Sequence, residues 1–236
     1  MVVEGVSIDG YVNENSGKKE PNTNGFSVSP GTTPNTKGIL LWSEPFIIRG
    51  KDGRDLCLLI MDTQGLWDYD TSNEFNVCIF GLSAVLSSFL IFNLKECVNA
   101  EQLKSFSTLL EFSEGVVSHL KIFQQLDFLI RDFPDYDTDA NDRMMANEYN
   151  KEQLELLETS SQTKTVINSI KSCFNHFNVF CLPKPGDIDG PNYDGSIEKI
   201  NPLFMRVLSD YIVRIVENVQ PRRINGEELT VESFAQ

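Results

Sequence analysis

The chain has 236 residues, 41% of them hydrophobic and 10% aromatic, so it can bury a core, and one domain is expected rather than two. Its 34 acidic against 20 basic side chains leave a formal charge of −14, which opposes non-specific binding to nucleic acid or anionic lipid. No stretch reaches the roughly 18 uninterrupted apolar residues of a membrane span, and Met1-Val2-Val3-Glu4 lacks the basic-then-apolar pattern of a signal peptide, so the expectation is a cytoplasmic globular protein with no membrane segment in this chain.

Residues 1–35 are rich in Gly, Asn, Ser, Pro and Thr without a sustained apolar period, and loop or disorder is expected at least to Asn24. From Ile39 to Arg49 the chain turns apolar. It is expected to pair as an antiparallel hairpin with residues 55–62 across the turn Gly50-Lys51-Asp52-Gly53-Arg54. Leu58-Leu59-Ile60-Met61 has no polar alternation and reads as a strand buried on both faces. It stops at Asp62-Thr63-Gln64-Gly65, which puts a carboxylate at a strand's carboxyl end, where open α/β sheets place their ligands.

Beyond Gly65 the period becomes helical through Phe75, Ile79, Leu82, Val85 and Leu86, and closes onto a second buried strand, Phe89-Leu90-Ile91-Phe92-Asn93. A helix over residues 100–122 and a third strand, Leu126 to Ile130, follow, the strand ending at Arg131-Asp132. An acidic helical stretch over 138–159 then leads to a helix with Val166, Ile167, Ile170, Cys173 and Phe174 on one stripe. Val179-Phe180-Cys181-Leu182 is the last strand, and residues 196–218 form a final helix. This alternation predicts an α/β fold, a mostly parallel sheet with helices on both faces. The five cysteines, Cys57, Cys78, Cys97, Cys173 and Cys181, form no CxxC pair, and with His119 and His176 as the sole histidines there is no zinc spacing. They are expected to be reduced thiols, mostly in the core.

Three polar features sit where chemistry is expected. Asp62 and Gly65, as Asp-x-x-Gly, suit a nucleotide switch: a carboxylate to hold a magnesium water and a bare backbone N–H to approach a terminal phosphate. The same pattern also makes ordinary turns. Thr36 offers a hydroxyl on the segment entering the strand beside Asp62, and taken alone is more readily a solvated loop threonine. Asp132 can accept two N–H donors from a guanine edge, or serve as a surface ion pair or helix N-cap beside Arg131.

In order, Thr36-Lys37-Gly38-Ile39-Leu40-Leu41-Trp42, Leu59-Ile60-Met61-Asp62-Thr63-Gln64-Gly65 and Phe128-Leu129-Ile130-Arg131-Asp132-Phe133 resemble the switch I, switch II and guanine-specificity segments of the atlastin and guanylate-binding-protein GTPases. The similarity continues through Ser88 to Leu94, Ser172-Cys173-Phe174, Leu182-Pro183-Lys184-Pro185-Gly186, Asp194-Gly195 and the tail Ile224-Asn225-Gly226. The Pro-Lys-Pro-Gly segment and the tail favour atlastin. The resemblance implies a dynamin-like G domain over residues 25–230, a non-homologous segment over 1–24, and the start of a linker to a helical domain over 231–236.

Carried over on those motifs, Thr36 would coordinate Mg²⁺ and help orient the attacking water, and Asp62 would hold the ion through a water. The Gly65 amide would sense the γ-phosphate, Asp132 would read guanine, and Arg131 would pack on or near the base. The loop from Pro183 to Gly190 would close over the base. The ligands implied are GTP or GDP with Mg²⁺, and the partner a second copy, through GTP-dependent dimerisation of G domains. In such families that cycle tethers and fuses endoplasmic-reticulum membranes, placing the chain on the cytosolic face of that compartment.

One departure stands out. No G-x-x-x-x-G-K-[ST] phosphate loop occurs in the 236 residues, and the nearest phrase, Ser16-Gly17-Lys18-Lys19, lacks the hydroxyl after lysine. In the family the catalytic arginine lies in that loop, so it too is expected to be missing, along with the first strand and first helix. Three expectations follow: a fragment or gene-model variant of a working GTPase, an impaired pseudo-GTPase acting as an interaction module, or a small-molecule-binding α/β domain without nucleotide. The first is favoured.

Overall fold

The turn after Arg49 forms because Gly53 takes a φ of +80°, which a side chain resists, while Gly50 N donates to Arg54 O at 2.8 Å and Gly53 N to Gly50 O at 2.9 Å. Asp52 completes it by accepting from the Arg54 amide at 3.0 Å and from Arg54 Nε at 2.6 Å, bonds that hold its carboxyl below the usual range. In the computed structural model, residues 36–42, 44–65, 72–117, 123–136, 143–186 and 196–234 are described.

The two arms flanking the turn pair as expected, in two steps. β1 (Ile39–Leu41) runs antiparallel to β4 (Met61–Thr63), with Ile39 opposite Thr63, and β2 (Phe46–Arg49) runs antiparallel to β3 (Asp55–Leu58), with Phe46 opposite Leu58. Between the two ladders, Trp42 to Pro45 on one arm spans two residues more than Leu59-Ile60 on the other. An offset of two preserves the alternation of faces. The expected strand buried on both faces is corrected here: Leu58, Leu59 and Met61 are half-buried and Ile60 is 42% exposed. Among the described residues each strand of this ribbon has one antiparallel neighbour, unlike a central strand of a parallel sheet.

Two compact units divide the chain. The hairpin belongs to one, which runs to Gly65 and resumes at Lys184–Asn218. Its helix α5 (Pro202–Asn218) buries Val207 and Tyr211. The expected single helix from 196 is corrected: Ile197–Lys199 is a separate 3-10 turn, and α5 starts at Pro202, whose missing N–H is harmless in a first turn. Asn201 caps it, its Oδ1 accepting from Leu203 N at 2.8 Å, while its own amide donates to Pro185 O at 2.9 Å.

The other unit, Leu66–Pro183 with Val219–Gln236, holds α1 (Asn73–Leu86), β5 (Phe89–Lys95), α2 (Ala100–Val117), β6 (Phe123–Arg131), α3 (Arg143–Thr159), α4 (Lys164–Cys173) and β7 (Phe174–Cys181). The order β5-β6-β7 is wholly parallel, and Phe92, Phe128 and Val179 lie in one row across it. Phe106 of α2 is fully buried against that row, its ring 4.5 Å from Phe92 and 5.5 Å from Phe128, and 5.1 Å from Phe80 of α1. Helix starts follow the polar punctuation. Ser72 caps α1 through the Phe75 amide, and Asn99 and Gln102 exchange bonds of 2.8 and 3.1 Å at the start of α2.

Two further sequence expectations shift. Phe174, placed on a helical stripe, is the first residue of β7 and stacks on Phe123 at 5.1 Å; burial alone did not distinguish the two elements. The thiols are not mostly core: Cys57, Cys78 and Cys97 are exposed, and only Cys173 and Cys181 are buried. Cys57 alternates outward on β3, Cys78 stands on an exposed position of α1, and Cys97 lies past the end of β5. The tail forms β8 (Arg223–Ile224), β9 (Glu227–Glu228) and α6 (Val231–Phe234), with Asn225 and Gly226 at φ of +55° and +86° making the left-handed two-residue turn of a tight hairpin. Gln124 of β6 anchors it, donating to Pro221 O at 3.0 Å and accepting from Arg223 N at 2.8 Å and Arg222 Nη1 at 3.1 Å. The expectation for residues 1–35 falls outside the described residues, as do the motif Asp194-Gly195 and residues 187–190 of the loop from Pro183 to Gly190.

Candidate functional site

Thr36 Oγ1 donates to Asp62 Oδ2 at 2.6 Å, in a half-buried position. The β1–β4 ladder accounts for the meeting, because it sets Leu40 opposite Asp62 and brings the segment before β1 alongside the end of β4. One further pair extends the ladder: Gln64 N donates to Gly38 O at 2.8 Å, and the Gln64 side chain returns the contact, its Oε1 accepting from Gly38 N at 3.0 Å. Gly38 reaches this pairing with a φ of +76°, and Gln64 is 6% exposed. Gly65 follows at the exposed end, with nothing within 4 Å of where a Cβ would stand. Packing among the described residues therefore does not demand glycine there.

A hydroxyl and a carboxylate held together this way are hard oxygen donors. They fit Mg²⁺, which takes one or two protein oxygens and completes its shell with waters and phosphate.

Arg131 and Asp132 lie in the other unit, where β6 ends. Glu96 N donates to Arg131 O at 2.7 Å from the β5 side, and Phe133 N donates to Leu182 O at 2.9 Å on the β7 side. Asp132 between them takes a φ of +55°, a left-handed value that aspartate tolerates better than most residues. Behind it Phe133, Tyr136 and Tyr149 form an aromatic cluster with centroids 4.8 to 6.4 Å apart. Arg131 Nε donates to Asn93 Oδ1 at 2.5 Å.

The structure thus brings Thr36, Asp62 and Gly65 to one end of one hairpin, and sets Arg131 and Asp132 on a clamped turn of the parallel sheet. Sequence reasoning assigned no role to Gln64, Gly38 or Asn93. Gln64 and Gly38 were visible inside the quoted motifs, and Asn93 as a polar residue ending an apolar strand.

The parallel three-stranded sheet β5-β6-β7 with its helices is consistent with an α/β G-domain fold. The chain belongs to the guanylate-binding protein N-terminal domain family, whose model matches residues 11–223. It is similar to Atlastin-1 of Bos taurus, 31% identical over 229 residues that are 92% of this chain and 40% of that protein. Atlastin-3 of Mus musculus is 31% identical over 228 residues, 90% of this chain and 40% of its own length. Atlastin-2 of Xenopus laevis is 28% identical over 221 residues, 91% and 39% respectively. The chain spans about two fifths of the length of these curated relatives. Among the described residues no helix is long and apolar enough to cross a membrane.

Proposed function

We propose that this chain is the G domain of an atlastin-type GTPase, binding guanine nucleotide with Mg²⁺ and hydrolysing GTP. The observation that carries the reading is the 2.6 Å contact between Thr36 and Asp62, which joins the two segments that a γ-phosphate and its ion must join. Thr36 and Asp62 would hold the ion, and bound Mg²⁺ would neutralise charge developing on the transferred phosphoryl group. The Gly65 amide would approach the γ-phosphate. Asp132 would accept from the guanine edge, and Arg131 would pack on or near the base.

By the same reading the G domain dimerises on GTP, and in the whole protein that cycle tethers and fuses endoplasmic-reticulum membranes from their cytosolic face. Without a G-x-x-x-x-G-K-[ST] match, this polypeptide binds GTP weakly and turns it over slowly, because a catalytic arginine alone contributes about 10³ to 10⁵ in rate.

The test is Mg²⁺-dependent binding of a fluorescent GTP analogue to the full chain. Weak, saturable binding that GTP displaces and ATP does not is the expected result. Equal displacement by ATP would remove Asp132 as a guanine reader, and tight micromolar binding would contradict the importance of the phosphate loop.

A further inference from the structure

We infer that Asn93 is a positioning residue for the purine base: it holds the Arg131 guanidinium by one edge, so that the arginine beside Asp132 is ordered before nucleotide arrives. The inference rests on the proposed guanine-nucleotide function and adds to it a residue that belongs to none of the motifs' assigned roles.

The parallel register sets Asn93 opposite Leu129 and Lys95 opposite Arg131. Residues two apart on a strand share a face, so Asn93 is the diagonal neighbour of Arg131 on one side of the sheet. Its Oδ1 accepts from Arg131 Nε at 2.5 Å, and both side chains are exposed at the carboxyl end of the sheet. Arginine carries five N–H donors in a rigid plane. Engagement through Nε leaves the two terminal amino groups and both faces of that plane for a ligand, and fixes the orientation of the plane.

The main chain around the pair is fixed too. Glu96 donates to Arg131 O, Leu182 N donates to Ile130 O at 2.8 Å, and Phe133 donates to Leu182 O, so both neighbouring strands hold the turn that carries Asp132. What these bonds leave free is the long Arg131 side chain, and an unanchored arginine loses much rotamer freedom on binding. Asn93 removes that freedom during folding. A surface hydrogen bond without this role would be indifferent to nucleotide, which makes the two cases separable.

The experiment titrates a fluorescent GTP analogue with Mg²⁺ into the full chain and into Asn93→Ala, Arg131→Ala, the double variant and Asn93→Asp. Expected for Asn93→Ala is an affinity about three- to tenfold weaker, with the unfolding midpoint of the nucleotide-free protein unmoved. The same substitution should cost nothing further in the Arg131→Ala background. Asn93→Asp, which keeps the acceptor oxygen, should restore affinity. Unchanged affinity in Asn93→Ala, or an equal loss with and without Arg131, overturns the inference alone. Failure of the unaltered chain to bind overturns the inference and the proposed function together.

Discussion

Thr36 Oγ1 lies 2.6 Å from Asp62 Oδ2 although 26 residues of chain separate them. On the proposed function, the hydroxyl that donates its proton to Asp62 keeps its oxygen lone pairs for an ion. Thr36→Ala should therefore weaken Mg²⁺-dependent nucleotide binding about 10- to 100-fold, the range seen when a ligand's supporting partner is lost. Stability should fall by about 1 kcal/mol, modest because the bond is only half-buried. Binding measured with and without EDTA separates the two effects, and a variant that keeps its Mg²⁺ dependence would exclude Thr36 from the ion site.

Gly38 should not tolerate a side chain. A Cβ there meets nothing within 4 Å, so the cost comes from holding φ at +76°. Gly38→Ala should destabilise the protein by about 1 to 2 kcal/mol and loosen the Gly38–Gln64 pair. Denaturant midpoints and amide exchange at Gln64 provide the check, and an unchanged midpoint would show that the backbone relaxes freely.

Asp132→Asn replaces a charged acceptor with an amide while leaving the clamped turn in place. The preference for GTP over ATP should fall about 10- to 100-fold, as expected for hydrogen bonds to a charged group. Competition titrations measure it. Retained preference would assign base recognition to other residues.

Phe106→Ala removes the ring on which Phe80, Phe92 and Phe128 converge. The loss should be about 3 to 5 kcal/mol, enough to unfold a marginal domain. Circular dichroism on heating would show it.

The thiols should divide into two classes. Cys57, Cys78 and Cys97 are exposed and should alkylate in the native protein, whereas Cys173 and Cys181 should react only on unfolding. Burial pushes the Cys181 thiol from 9.0 up to about 12, so between those values the unfolded chain gives up its proton first. Cys181 therefore contributes nothing to pH dependence below 9.0, and stability falls as the pH climbs from there toward 12. Mass-resolved labelling across that range tests both statements, and early modification of Cys181 would refute them.

Much of this protein was legible in its sequence wherever a signal is local. Apolar runs located β5, β6 and β7, helical spacing located α1 to α5, and the turn residues Gly50-Lys51-Asp52-Gly53-Arg54 located the hairpin. Asp62, Arg131 and Asp132 were visible as polar residues closing apolar runs, and Thr36 through the motif it shares with the family. Long-range partners decided the rest. Whether Leu58 to Met61 is covered on one face or two depends on neighbours that its own composition does not encode, and Pro202 rather than the apolar stripe set where α5 begins.

Gln64 and Asn93 gained their roles only in three dimensions, since each acts by reaching another segment: Gln64 to Gly38, and Asn93 to Arg131, 38 residues further along the chain. Sequence by itself determined the order of the elements and the chemistry at their ends, because both follow from local period and residue type. Tertiary structure alone decided which of those ends meet, because register and pairing are properties of two strands at once.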